Sequence, residues 1–130
     1  MLDPIIDANG TKMWRLNGEF HREDGPAIEY NDGDKYWFQY GKLHRTDGPA
    51  IDRVDGTKKW FLNGRFHRVD GPAIEYSSGN KYWYQHGELH RLNGPAIEYE
   101  DGSKSWYQNG VEYDEDSWGF EKINWKQEGF

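Results

Sequence analysis

The 130-residue sequence predicts an all-β protein, an elongated single antiparallel β-meander of about five 23-residue hairpin repeats with a short C-terminal capping helix. Three observations predict it. His21, His44, His67 and His90 keep a step of 23 residues, and so do the runs from Gly10 to Gly102 and from Trp14 to Trp106. Each unit carries two β-rich runs, such as "PAIEY" and "KYWFQ", separated by Asn/Asp/Ser-Gly turn chemistry. Helical periodicity is absent until about residue 113.

The elements follow in order. Residues 1–20 form a half repeat, full repeats start at residues 21, 44, 67 and 90, and the array ends at residue 113. Residues 11–56 and 57–102 match at most positions, so a doubled unit alternates "LNG.FHR" with "Q.G.LHR". The first turn of each hairpin is "NDGD" or its counterparts "VDGT", "SSGN" and "EDGS", where Gly supplies a positive φ. A second turn follows at "YGKL", "NGRF", "HGEL" and "NGVE". Pro26, Pro49, Pro72 and Pro95 stand where a strand begins, a place that tolerates a missing N–H. Residues 114–130 break the period. Asp114 or Asp116 is the expected N-cap of a helix whose Trp118, Ile123 and Trp125 cover the open end of the sheet.

Composition narrows the function classes. Apolar residues make up 35% of the chain and aromatic residues 17%, with seven Trp and nine Tyr, so rings carry the burial that aliphatics usually supply. The absence of Cys excludes disulfides, thiol catalysis and Cys-ligated zinc, and fits a cytoplasmic setting, that of a host if the source is viral. A formal net charge of −7 argues against nucleic acid and anionic membranes as general partners. The sequence shows neither a signal-peptide start nor an apolar run of membrane-spanning length.

The pattern W-x-x-N-G-x-x-H-R-x-D-G-P-A-x-x-Y-x-D-G resembles a variant of the MORN repeat, a hairpin of 20-odd residues stacked into a long sheet. It is most similar to the longer-period form of bacterial, phage and giant-virus proteins, some of them labelled antitoxin-like. The resemblance covers residues 1–113 and implies a binding or scaffolding module. It supplies no catalytic residue and no cofactor.

Four copies of a His–Arg–x–Asp/Asn set invite a catalytic or metal-binding reading. Equivalent residues two strands apart lie about 9–10 Å from each other, too far for histidines to share a zinc ion. The set is therefore expected to be structural. Trp14, Trp37, Trp60, Trp83 and Trp106, with Arg22, Arg45, Arg68 and Arg91, form a ladder in which each Arg meets an Asp or a loop carbonyl. If Tyr30 pairs with Lys35, then Ile28 pairs with Trp37, and Ile and Trp share the core face. Trp60, in mid-array, is expected to be largely buried, and truncating Trp14, which has only one neighbouring hairpin, to cost less than truncating Trp60.

The opposite face then carries Ala27, Glu29, Tyr36 and Phe38, followed by Asp52, Glu75, Tyr82, Tyr84 and Glu98. Glu29, Tyr36, Phe38, Asp52, Glu75, Tyr82, Tyr84 and Glu98 are the candidate protein-binding face. The resulting expectation is a non-enzymatic module that needs no metal or cofactor and binds a protein from a host or cognate system, with a homo-oligomer left open. Its concrete form is a small phage or bacterial inhibitor, or a neutraliser of a toxin. Two rivals are a small-ligand or nucleotide-phosphate binder using the Arg row, and a hydrolase using the Glu or His rows.

Overall fold

The computed structural model describes residues 3–116, and all but the first residues of the expected capping helix lie outside them. The described chain is an antiparallel meander. Its main ladder is an 11-stranded sheet in which each strand neighbours those next to it along the array. Ile28–Glu29 pairs with Lys35–Tyr36, which pairs in turn with Ile51–Asp52, and the pattern continues to Lys104–Gln108. Beside it run short hairpins such as Phe38–Gln39 with Lys42–Leu43 and Phe61–Leu62 with Arg65–Phe66. The Trp backbone joins the two series. Trp37 donates its N–H to the Ala50 carbonyl, and its own carbonyl accepts from the His44 N–H.

Turn chemistry sets the register. Gly33 N–H bonds to the Tyr30 carbonyl and Tyr30 N–H to the Asp34 carbonyl, with Gly33 at φ +101°. This is a three-residue loop, a type I turn followed by a left-handed glycine. The tighter turns at Asn17–Gly18, Tyr40–Gly41, Asn63–Gly64, His86–Gly87 and Asn109–Gly110 have positive φ at both residues, as a two-residue type I′ hairpin requires.

A three-residue loop shifts the expected pairing by one position. Ile28 stands opposite Tyr36 and Glu29 opposite Lys35, so Ile28 and Trp37 are not cross-strand partners. Because the side-chain period is two, one step of register changes which residues share a face. One face of the main ladder carries Ile28, Tyr36, Ile51, Lys59, Ile74, Tyr82, Ile97 and Ser105. The other carries an alternating row of charge: Lys12, Glu29, Lys35, Asp52, Lys58, Glu75, Lys81, Glu98 and Lys104.

Burial is strongest where the loops re-enter the sheet. Ala27, Ala50, Ala73 and Ala96 are fully buried, and Ile28, Ile51, Ile74 and Ile97 nearly so. The expectation that placed Ala27 on an exposed face is corrected by this. Ala50, Ile51 and Phe61 form a small core cluster, against which Tyr36, Trp37, Leu43 and Phe66 pack.

Candidate functional site

The repeated His–Arg–x–Asp sets are joints. In each unit the Arg guanidinium lies over a Trp ring: Arg22 over Trp14, Arg45 over Trp37, Arg68 over Trp60 and Arg91 over Trp83, at 3.8 to 3.9 Å from the ring centroid. Such cation–π contacts strengthen as water is excluded. Arg68 Nε also donates to Asp70 at 3.1 Å, and its Nη1 donates to the Pro72 carbonyl and to Glu75. The glycine of "DGP" closes the other side, since a Cβ added at Gly71 would come within 2.8 Å of the Arg68 Cζ. A planar cation between a ring and a glycine explains why Trp, Arg and Gly recur together.

One copy departs from this pattern. Glu29, Glu75 and Glu98 each reach the guanidinium of their own unit, at 3.0, 3.1 and 2.8 Å. Asp52 is one methylene shorter and pairs with Lys58 Nζ at 2.9 Å instead. Burial of the Trp rings also runs against expectation. Trp14 is buried at 7% exposure, whereas Trp60 is only partly buried. The covering Arg is the same in both units, so it does not account for this difference.

The histidines hold the next hairpin. Nδ1 of His21, His44, His67 and His90 accepts the backbone N–H of Tyr40, Asn63, His86 and Asn109, at 2.9 to 3.0 Å. Each donor is the left-handed residue of a type I′ turn. An accepting Nδ1 requires a neutral ring with its proton on Nε2. Burial pushes the His67 imidazole below its ordinary value, helped by nearby His86. For His90 burial again lowers it, Glu88 opposes, and His86 adds a smaller lowering. A second clip works at the opposite turns. Asp34, Thr57 and Asn80 side chains accept the N–H of Val54, Ser77 and Glu100. The period marks these residues, but their one-way bonding was not legible in the sequence.

The eight residues expected to share a binding face are divided by the register. Glu29, Asp52, Glu75 and Glu98 lie in the charged row, and three of them hold arginines. Tyr36 and Tyr82 lie in the Ile row. Phe38 and Tyr84 belong to the neighbouring short hairpins, where Phe20 packs on Phe38 and Phe66 on Tyr84 at centroid distances of 5.3 and 5.0 Å. Tyrosine edges meet faces at Tyr30–Tyr36 and Tyr76–Tyr82. Burial, with neighbouring phenols adding to it, raises the Tyr82 and Tyr84 hydroxyls above the usual range, so they stay protonated donors.

Clefts lie between successive "HR.DGP" loops. One of them, of about 860 Å³, is lined by Asp47, Asp52, Trp60, His67, Arg68 and Asp70 among others. No group of three or more His, Asp or Glu able to hold a metal ion occurs among the described residues, and no helix there is long and apolar enough to cross a membrane. No protein-family model matches the chain, and no curated protein matches it.

Proposed function

We propose that the chain is a non-catalytic, MORN-like repeat module that binds another protein through the sheet face bearing its Ile, Tyr and Phe side chains. The observation that carries this reading is the run of half-buried rings, Tyr36 and Tyr82 in the Ile row of the main ladder and Phe38, Phe66 and Tyr84 in the short hairpins beside it. Rings that are partly exposed and held by neighbours lose little freedom on binding, which is why they anchor protein interfaces. The charged face suits this role less, because its carboxylates already stand opposite lysines and hold arginines. The arginine row offers a phosphate little for a similar reason: ring, carbonyl and carboxylate contacts occupy it. A small bacterial or phage inhibitor of a host protein, or a toxin neutraliser, is the version that the repeat pattern suggests.

Affinity capture from a bacterial lysate, run with melting curves, tests the reading. Tyr82→Ala and Tyr84→Ala should release the captured protein while changing the melting temperature little. Arg68→Ala should retain it and melt earlier. Capture that ignores both Tyr variants but is lost with Arg68→Ala would move the working surface to the loops.

A further inference from the structure

The ring-bearing face is interrupted in one hairpin by two cations. Position by position, Tyr30, Tyr76 and Tyr99 correspond to Arg53, and Tyr36 and Tyr82 correspond to Lys59. The third hairpin of the main ladder therefore replaces both tyrosines at once, between hairpins that keep the Tyr30–Tyr36 and Tyr76–Tyr82 pairs. Lys59 stands directly between Ile51 and Ile74, and its ammonium lies 5.3 Å from the centroid of the Tyr76 ring. Among the described residues it makes no ion pair. Arg53 is tied only loosely, with Nε 3.6 Å from Asp34 Oδ2 and 44% of its side chain exposed.

The contrast with the other lysines of the main ladder is sharp. Lys12, Lys35, Lys58, Lys81 and Lys104 all lie on the opposite face, directly across from a carboxylate. In a chain of net charge −7, Lys59 stands between two isoleucines, away from the carboxylate row that faces the other lysines of the main ladder. A half-buried cation among apolar groups, as Lys59 is, favours an anion that arrives with its own apolar surroundings.

We infer that this face recognises a polypeptide segment presenting a carboxylate side chain between two apolar anchors, the carboxylate seated on Lys59 and Arg53. The inference rests on the protein-binding reading and names the chemistry of its partner. Hairpins of the ladder are about 10 Å apart, two strand spacings, and an extended peptide covers that in about three residues. The fitting pattern is apolar-x-x-acidic-x-x-apolar, lying across the strands with its anchors on the two tyrosine pairs.

The test uses three synthetic peptides, Leu-Ser-Ser-Glu-Ser-Ser-Leu and the same sequence with Gln or Lys at the centre, titrated into the isotope-labelled full chain by NMR. Shifts should concentrate on amides around Tyr36, Lys59 and Tyr82, with the Glu peptide binding about tenfold more tightly than the Gln peptide and the Lys peptide weakest. Lys59→Met should remove the preference for Glu while keeping weak binding, and Lys59→Glu should turn it toward the Lys peptide. Equal binding of the Glu and Gln peptides, or an unchanged preference in Lys59→Met, overturns the anionic partner and leaves the protein-binding face standing. If the Glu peptide shifts no amide on this face, or binds Tyr82→Ala as well as the parent chain, both inferences fall. Displacement of the Glu peptide by equimolar inorganic phosphate would replace a carboxylate-bearing partner with a phosphate ligand.

Discussion

The histidines show how one atom can set a pH response. His67 and His90 are lowered by burial and accept a backbone N–H through Nδ1, so the folded chain binds their protons less readily than the unfolded chain does. Where the unfolded state binds more protons, stability rises with pH. The contribution is therefore complete above the ordinary His value of about 6.5 and is lost as pH falls below it. Melting should drop between pH 7.5 and 5.5, by about 1 kcal/mol for each N–H left without an acceptor. His67→Phe should be less stable at pH 7.5 and less sensitive to acid, and a parallel fall in both proteins would refute the assignment. The glycine beside each guanidinium gives a second residue-scale expectation. Gly71→Ala should cost about 1–3 kcal/mol in the parent chain, because Arg68 must move off Trp60. In an Arg68→Ala background most of that cost should vanish, as a double-mutant cycle would reveal.

At the scale of the hairpin, turn chemistry decides more than strand chemistry. The spacing of Gly, Trp and His made the meander and its two turns per unit legible from residue types alone. Which residues share a face was not legible, because "NDGD" reads equally well as three or four loop residues and the choice moves every side chain across the sheet. The Arg–Asp and Arg–carbonyl contacts were anticipated from the set itself, whereas the Glu partner seven residues on depends on that register. Asp52 offers a test at this scale. Asp52→Glu should reach Arg45 as Glu29 reaches Arg22, trading away the Lys58 contact for a gain of about 0.5 kcal/mol. A lower melting temperature would mean that the second unit differs in more than one methylene. Tyr40 and His86 occupy left-handed positions where Asn stands in the other units. His86→Asn should relieve backbone strain, offset by loss of its contact with the His67 ring, so its change in stability should be small.

Across the whole molecule, stability should be a sum of units and of the joints between them. The turn-to-turn clips run from one unit to the next, the histidine clips tie successive short hairpins, and the units alternate between two kinds. A second copy of residues 57–102 inserted after residue 102 preserves that alternation and all its joints. The lengthened chain should fold and melt at a higher temperature by calorimetry. Removing a single 23-residue unit sets like beside like and should cost more than the loss of one joint. Equal behaviour of the two altered chains would remove the doubled unit as the stabilising period.

The clips also bear on time. The His-to-turn bonds each span 19 residues of chain, and the turn-to-turn bonds each span 20, wherever along the array they occur. The entropic cost of closing a segment depends on its length, so the last unit meets the same search as the first. Refolding after dilution from denaturant should therefore keep nearly the same rate constant as units are added, while the longer chain unfolds more slowly. Size would be recorded in how long the array persists, and hardly at all in how fast it forms.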